Sequence, residues 1–248
     1  MSDTDGRVAA ELAGQAGDLL LTLRSASGLT GKDLGKRGDS ASNSLLLREL
    51  AERRPGDAVL SEESADSPAR LSAKRVWIID PLDGTREYGM AGRDDWAVHV
   101  ALWQQNKGIT AAAVAQPSLR VVYSSETVRS AKRRPRPRLR FLVSDSRPPD
   151  FAAPVAKALG ADLVPMGSAG AKTMAVVRGD ADAYLHGGGQ WEWDSAAPVG
   201  VAVAAGLCAS RIDGSPLAYN SEHPYLPDLL ICRKELADDL LREIALAS

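Results

Sequence analysis

The chain has 248 residues, 30 Lys and Arg against 32 Asp and Glu, a formal net charge of −2 and 44% hydrophobic residues. That length allows one large domain or two coupled subdomains, and the near-neutral charge argues against general nucleic-acid binding. The two cysteines, Cys208 and Cys232, come without a C-x-x-C or a His-rich ligand set, which argues against structural zinc and fits a reduced, cytoplasmic protein, and no apolar run reaches membrane-spanning length.

The acidic start Met1-Ser2-Asp3-Thr4-Asp5 lacks a basic-then-apolar signal segment. Val8, Leu12, Ala16, Leu19, Leu20 and Leu23 recur at helical spacing and predict an amphipathic helix over 6–24. A Gly- and Lys-containing loop is expected over 27–38, then a second helix from Ser40 that carries Leu45, Leu46, Leu47 and Leu50 toward Arg54. Pro55-Gly56-Asp57 turns the chain into a short strand, 58–61, which delivers Glu62 and Glu63. Val76-Trp77-Ile78-Ile79 suits a strand buried on both faces, with Asp80 at its end, because Pro81 has no N–H to give a ladder. Asp83 follows three residues later, Gly84 permits close backbone approach, and Thr85 can start a helix. Residues 96–103, 109–115 and 121–123 are dense in strand formers.

Between Arg129 and Arg140 lie seven basic residues, broken by Pro135 and Pro137. No aromatic residue interleaves to stack a base, so a solvated connector is preferred to a nucleic-acid arm. The subdomain boundary is placed there: 1–137, an α+β unit with the main acidic loop, and 138–248, an α/β unit completing the site. Strands are expected at 139–144, 163–166, 181–186 and 229–232, and helices at 154–160, from the Gly167–Lys172 stretch to Arg178, at 194–206 and at 235–247.

Each acidic feature alone has a bland explanation: Asp-Pro and Asp-Gly as turn chemistry, Glu62-Glu63 as solvated charge, Asp194 as a helix cap. Their joint occurrence is more specific. Leu60-Ser61-Glu62-Glu63, Ile79-Asp80-Pro81-Leu82-Asp83-Gly84-Thr85 and Trp193-Asp194-Ser195-Ala196-Ala197 resemble the three signature blocks of the inositol monophosphatase superfamily of magnesium-dependent, lithium-sensitive phosphatases. Within it the chain resembles the CysQ branch, the bacterial 3'-phosphoadenosine 5'-phosphate (PAP) phosphatases of sulfur metabolism. The resemblance implies a layered α-β-α-β-α sandwich of the inositol monophosphatase/fructose bisphosphatase type, with catalysis between two subdomains, and commonly a homodimer.

Glu62, Asp80, Asp83 and Asp194, if brought together, would repel one another unless cations neutralised them, and hard oxygen ligands favour magnesium, with manganese as a substitute. By residue-wise match, Glu62, Asp80 and the carbonyl of Leu82 resemble ligands of a first Mg2+, and Asp80, Asp83 and Asp194 those of a second. The family uses two or three ions, and Li+ inhibits by occupying the second site. Glu62 and Thr85 match positions that hold the attacking water, with Asp83 beside them, while the N–H groups of Gly84 and Thr85 would grip phosphoryl oxygens. The family's T-x-x-D before the second helix is matched to Ser40-Ala41-Ser42-Asn43, which puts an Asn where the relay acid is expected; Asp39 is the alternative.

Substrate marks are weaker. Ser168 either caps a helix or contacts substrate, and Lys172 faces the same cleft or solvent. Arg86 and Arg147 are candidate anion partners, and Asp194 borders the substrate as well as the metal. Small residues at His186-Gly187-Gly188-Gly189 leave room for adenosine. Trp191 and Trp193 read as core tryptophans ahead of base-stacking ones, and His99 as structural. The expected reaction is hydrolysis of the 3'-phosphate of PAP, with PAPS as a further substrate; inositol 1-phosphate or fructose 1,6-bisphosphate hydrolysis is the alternative. A non-catalytic nucleotide- or RNA-binding protein using the basic connector is the different-class reading.

Overall fold

The computed structural model describes residues 3–129, 131–132 and 134–247. Met1 and Ser2 of the acidic start, and Arg133 of the basic run, lie outside them. The helices are α1 (Asp5–Ala26), α2 (Gly31–Arg53), α3 (Thr85–Tyr88), α4 (Ala152–Ala158), α5 (Ala169–Val177), α6 (Glu192–Ala204) and α7 (Ala237–Ala247). The first sheet holds β1 (Ala58–Ser61), β2 (Arg75–Asp83), β3 (Ala97–Gln104), β4 (Gly108–Gln116) and β5 (Val121–Ser124), in that order across it. The second holds β6 (Leu139–Ser144), β7 (Ala161–Met166), β8 (Ala183–Trp191), β9 (Cys208–Ser210) and β10 (Tyr225–Cys232), in the order β7-β6-β8-β10-β9. Both sheets are mixed: β1 runs parallel to β2, and β6 parallel to β7 and β8, while the other pairs are antiparallel.

Strand alternation builds the layers. Trp77 and Ile79 of β2, with Val98, Val100 and Leu102 of β3, pack on Leu12, Leu20, Leu46 and Leu50 of α1 and α2. Their neighbours Val76 and Ile78 turn the other way, into a central layer with Met174 and Val176 of α5, Ala196 and Val201 of α6, and Leu142, Tyr184 and Ile231 of the second sheet. Phe141, Val143, Leu185 and Leu230 then face α4 and α7. The result is the α-β-α-β-α sandwich.

Three local expectations are corrected. Residues 31–38 are not loop: α2 starts at Gly31 and runs straight through Gly35 and Gly38. These glycines serve close packing, since a Cβ on Gly35 would lie 2.6 Å from Thr85 Cγ2 and one on Gly38 2.8 Å from Tyr88 Cε1. β2 does not end at Pro81 but continues to Asp83 through a bulge, where Pro81 and Leu82 oppose Val98 alone, so the missing proline N–H costs no ladder bond. β8 likewise runs past His186 to Trp191, because β10 pairs with it through a second bulge at Gly188 and Gly189, both at positive φ (84° and 82°). The basic run is tied down by acids of the second half, Arg134 to Asp180 at 3.0 Å and Arg136 to Asp182 at 2.8 Å. Among the described residues no helix is long and apolar enough to cross a membrane.

Candidate active site

The bulge in β2 decides where the acids point. Asp80, 1% exposed, accepts the Leu82 N–H at 3.0 Å through Oδ1, and its Oδ2 is buried without a hydrogen-bond partner. Asp83, beyond the bulge, is fixed through Oδ2 by the Ser168 hydroxyl and by the Gly170 N–H at 2.7 Å. Asp194 stands in the first turn of α6 and accepts the Trp191 N–H at 2.7 Å, two residues inside the helix that had been expected to start with it. Asp80, Asp83 and Asp194 each present a carboxylate oxygen, and these lie within 4.8 Å of one another. Glu62, at the solvent side, turns its carboxyl to Asp80.

Such crowding is electrostatically costly. Burial, then Glu62, Asp83 and Asp194, push Asp80 well above the ordinary carboxylate range. Burial and Asp83 raise Asp194 to about 7, and the surrounding protein, with Asp39, Asp83 and Glu63, raises Glu62 to about 7 despite its link to Asp80. Asp83 is the exception. Burial would raise it too, but His99, Ser168 and Gly170 outweigh that and hold it at about 2. An orphaned buried carboxylate oxygen inside a ring of acids fits a hard divalent cation, whose charge would remove the repulsion.

His99 was missed as part of the site. It is fully buried opposite Asp80 in the β2–β3 register, its Nε2 lies 3.1 Å from Asp83 Oδ2, and its Nδ1 contacts the Trp193 carbonyl at 3.1 Å. Burial opposes its protonation, but the Asp83 carboxylate facing it outweighs that and raises its pKa, and the ring stands against Asp83 at 3.1 Å.

A further correction concerns the relay. Asn43 does not reach Thr85; it accepts the Ser61 hydroxyl at 2.8 Å and donates to Ser64 at 3.1 Å. Asp39 does reach it: Thr85 Oγ1 lies 3.3 Å from Asp39 Oδ1 and 3.1 Å from the Leu82 carbonyl. Burial, then the Glu63 charge, raise Asp39 to about 7. The helix beginning at Gly31 is what aims it, since Asp39 sits mid-helix, one turn before Asn43.

A cleft of about 450 Å³ is lined by Asp83, Thr85 and Asp194 together with Ser168, Lys172 and Arg147. A family model, that of the inositol monophosphatase family, matches residues 6–245. The chain belongs to that family. It is similar to a Mycobacterium leprae (strain TN) protein named 3'-phosphoadenosine 5'-phosphate phosphatase, 56% identical over 250 residues, 96% of this chain and 92% of that one. It is 31% identical over 201 residues, 76% of this chain and 80% of the other, to a Salmonella typhimurium (strain LT2) protein named 3'(2'),5'-bisphosphate nucleotidase CysQ. Among solved structures, Mycobacterium tuberculosis SuhB superposes with a TM-score of 0.75 over 98% of this chain and 96% of that one, at 24% identity, which shows the shared fold.

In this inositol monophosphatase family member the remaining expected residues divide. Gly84, at φ 90°, lets the backbone turn where a Cβ would press on the Asp95 carbonyl at 3.1 Å. Ser168 is a helix cap that also lines the cleft: its hydroxyl accepts the Ala171 N–H at 2.9 Å while donating to Asp83, so it positions an acid. Arg86 also lines the cleft and is paired there with Glu87 and Asp145. Lys172 faces the cleft side and not solvent. It is buried, donates to the Ser168 and Met166 carbonyls at 2.8 and 3.2 Å, and lies 4.9 Å from the Tyr184 ring centre. His186 is neutral, its pKa pushed to about 4 by burial and then by Lys172 and Arg147. Trp193 packs against the central layer, but Trp191 is 36% exposed, stacked on Trp193 and edge-on to His223 and Tyr225, because β8 alternation turns it outward.

Proposed function

We propose that this protein is a phosphoric monoester hydrolase that uses Mg2+ to remove the 3'-phosphate of PAP, giving AMP and inorganic phosphate. The observation that carries the reading is the convergence of Asp80, Asp83 and Asp194 around a partnerless Asp80 Oδ2, in a chain 56% identical to a protein named for that activity. Glu62, Asp80, the Leu82 carbonyl, Asp83 and Asp194 would hold the metal. Bound there, magnesium supplies charge neutralisation and Lewis-acid polarisation of the phosphoryl group.

The chain's own groups do the rest. Thr85 orients a water through its hydroxyl, and Asp39 behind it, with an elevated pKa, accepts the proton that the water loses. Gly84 and Thr85 present backbone N–H groups to the phosphoryl oxygens. The water oxygen bonds to phosphorus as the ester bond to the 3'-oxygen breaks. The 3'-oxygen leaves with the bonding pair and takes a proton from solvent to give the hydroxyl of AMP, while the proton on Asp39 passes back to solvent. Arg147, which lines the cleft, offers positive charge to the second phosphate of a bisphosphorylated nucleotide, and the glycines after His186 leave space for its nucleoside. Purified protein with Mg2+ is expected to hydrolyse PAP at least ~10-fold faster, by kcat/KM, than inositol 1-phosphate or fructose 1,6-bisphosphate. A preference for either sugar phosphate would reverse the assignment.

A further inference from the structure

Two of the acids at the cleft come from distant parts of the chain. Glu62 follows β1, and Asp194 stands in α6. Between them lies Arg70, a guanidinium 1% exposed. Its Nε and one terminal nitrogen grip Asp66 at 2.7 and 2.9 Å, four residues after Glu62. The other N–H groups cross 150 residues of sequence to the Asn220 side-chain oxygen at 2.7 Å and the Ser221 carbonyl at 2.9 Å. The Asn220 amide returns a bond to the Arg70 carbonyl at 3.4 Å.

The link continues to the metal-side helix. The backbone N–H groups of Asn220 and Ser221 donate to the two carboxylate oxygens of Glu192, at 2.7 and 2.8 Å. Glu192 opens α6, two residues before Asp194, and is itself 1% exposed. Asn220 holds φ at 64°, a conformation that Asn tolerates and that aims its side chain at Arg70. A buried cation persists only when it is paired and its N–H groups are satisfied, so the assembly has one preferred geometry. Arg70, Asn220 and Glu192 do not line the cleft, and no step of hydrolysis touches them.

We propose that Arg70, Asn220 and Glu192 are positioning residues of the metal centre: a buried strut that clamps the loop carrying Glu62 to the helix carrying Asp194 and thereby sets how closely their carboxylates approach. The proposal rests on reading those acids as metal ligands. Without the strut all the ligands remain, but their mutual repulsion is free to spread them. Metal affinity then falls while recognition of the nucleotide does not.

The test uses the full chain. Asn220→Gly keeps the left-handed backbone and both N–H donors to Glu192, and deletes the two side-chain bonds that Asn220 exchanges with Arg70 while leaving the Ser221 carbonyl bond in place; Arg70→Met removes the strut's centre. Mn2+ binding is measured by electron paramagnetic resonance below the melting temperature, together with the Mg2+ concentration for half-maximal PAP hydrolysis and the KM for PAP at saturating Mg2+. Arg70→Met is expected to weaken Mn2+ binding roughly tenfold and Asn220→Gly severalfold, with the Mg2+ requirement rising in step and KM unchanged. If Arg70→Met does not fold, Asn220→Gly decides. A folded Asn220→Gly with wild-type Mn2+ affinity overturns the strut and leaves the phosphatase reading standing, even if its melting temperature drops. Wild-type protein that binds no Mn2+ overturns the metal-centre reading itself.

Discussion

The two oxygens of Asp83 face different company: Oδ2 is held by Ser168, Gly170 and His99, which leaves the other for a ligand role. Asp39 and Asn43 show a similar division between neighbours. They are one helical turn apart, and only Asp39 meets Thr85. Asp39→Asn is therefore expected to lower kcat on PAP roughly a hundredfold with little change in KM, while Asn43→Asp leaves both within about threefold. Steady-state kinetics on the two variants checks this, and equal losses would return Asn43 to the relay. The paired aspartates of the Asp80–Thr85 stretch were legible because their chemistry is local. His99 was not, since a histidine flanked by Val98 and Val100 looks like any strand residue until the register with β2 sets it against Asp80 and Asp83.

Whole elements were legible where apolar spacing was regular and blurred where glycine or proline interrupted it. Gly35 and Gly38 look like loop, yet they are helix positions made small by what packs on them. Pro81 looks like a strand end, yet the bulge absorbs it and re-aims Asp83. The start of α5 is equally exacting: Gly170 donates its N–H to Asp83, and a Cβ there would collide with His99 Nε2 and lie 3.0 Å from Ala97 Cβ. Gly170→Ala is expected to cost about 1–3 kcal/mol of stability and to weaken metal binding along with it, because His99 and Asp83 must shift together. Thermal unfolding and Mn2+ titration would reveal it. Unchanged metal binding would mean that the His99–Asp83 contact does not set the site.

For the whole molecule, the acid cluster makes stability depend on pH and metal. Asp39, Glu62 and Asp194 have folded values of about 7. Unfolded carboxyls titrate near ~4, so the metal-free fold holds these protons more tightly than the unfolded chain. That stability is fully present below about pH 4 and is lost as pH rises through about 7. A divalent cation bound to the deprotonated acids, Mg2+ on the proposed reading, would offset the loss. Its rise in melting temperature is expected to be about 5–10 °C at a hundredfold excess over Kd near pH 8, and clearly smaller near pH 6. Differential scanning fluorimetry with and without Mg2+ at both values checks it; an equal shift would mean that these acids are not the ligands.

Most of the helices and strands and the acids near Asp80 follow from the sequence alone, because periodicity and backbone chemistry act between residues close in the chain. The layered class follows from the resemblance that the three acidic blocks carry; the short strand β9 had no such signal. The tertiary structure alone decided that Asp39 and not Asn43 serves Thr85, that His99 stands against Asp83, that Ser168 and Arg86 have protein partners, and that Arg70 joins residues 150 positions apart. Each of those facts depends on strand register or on the packing of one layer against another. These are settled only when remote segments compete to bury apolar surface and satisfy charge, and no local pattern records the outcome.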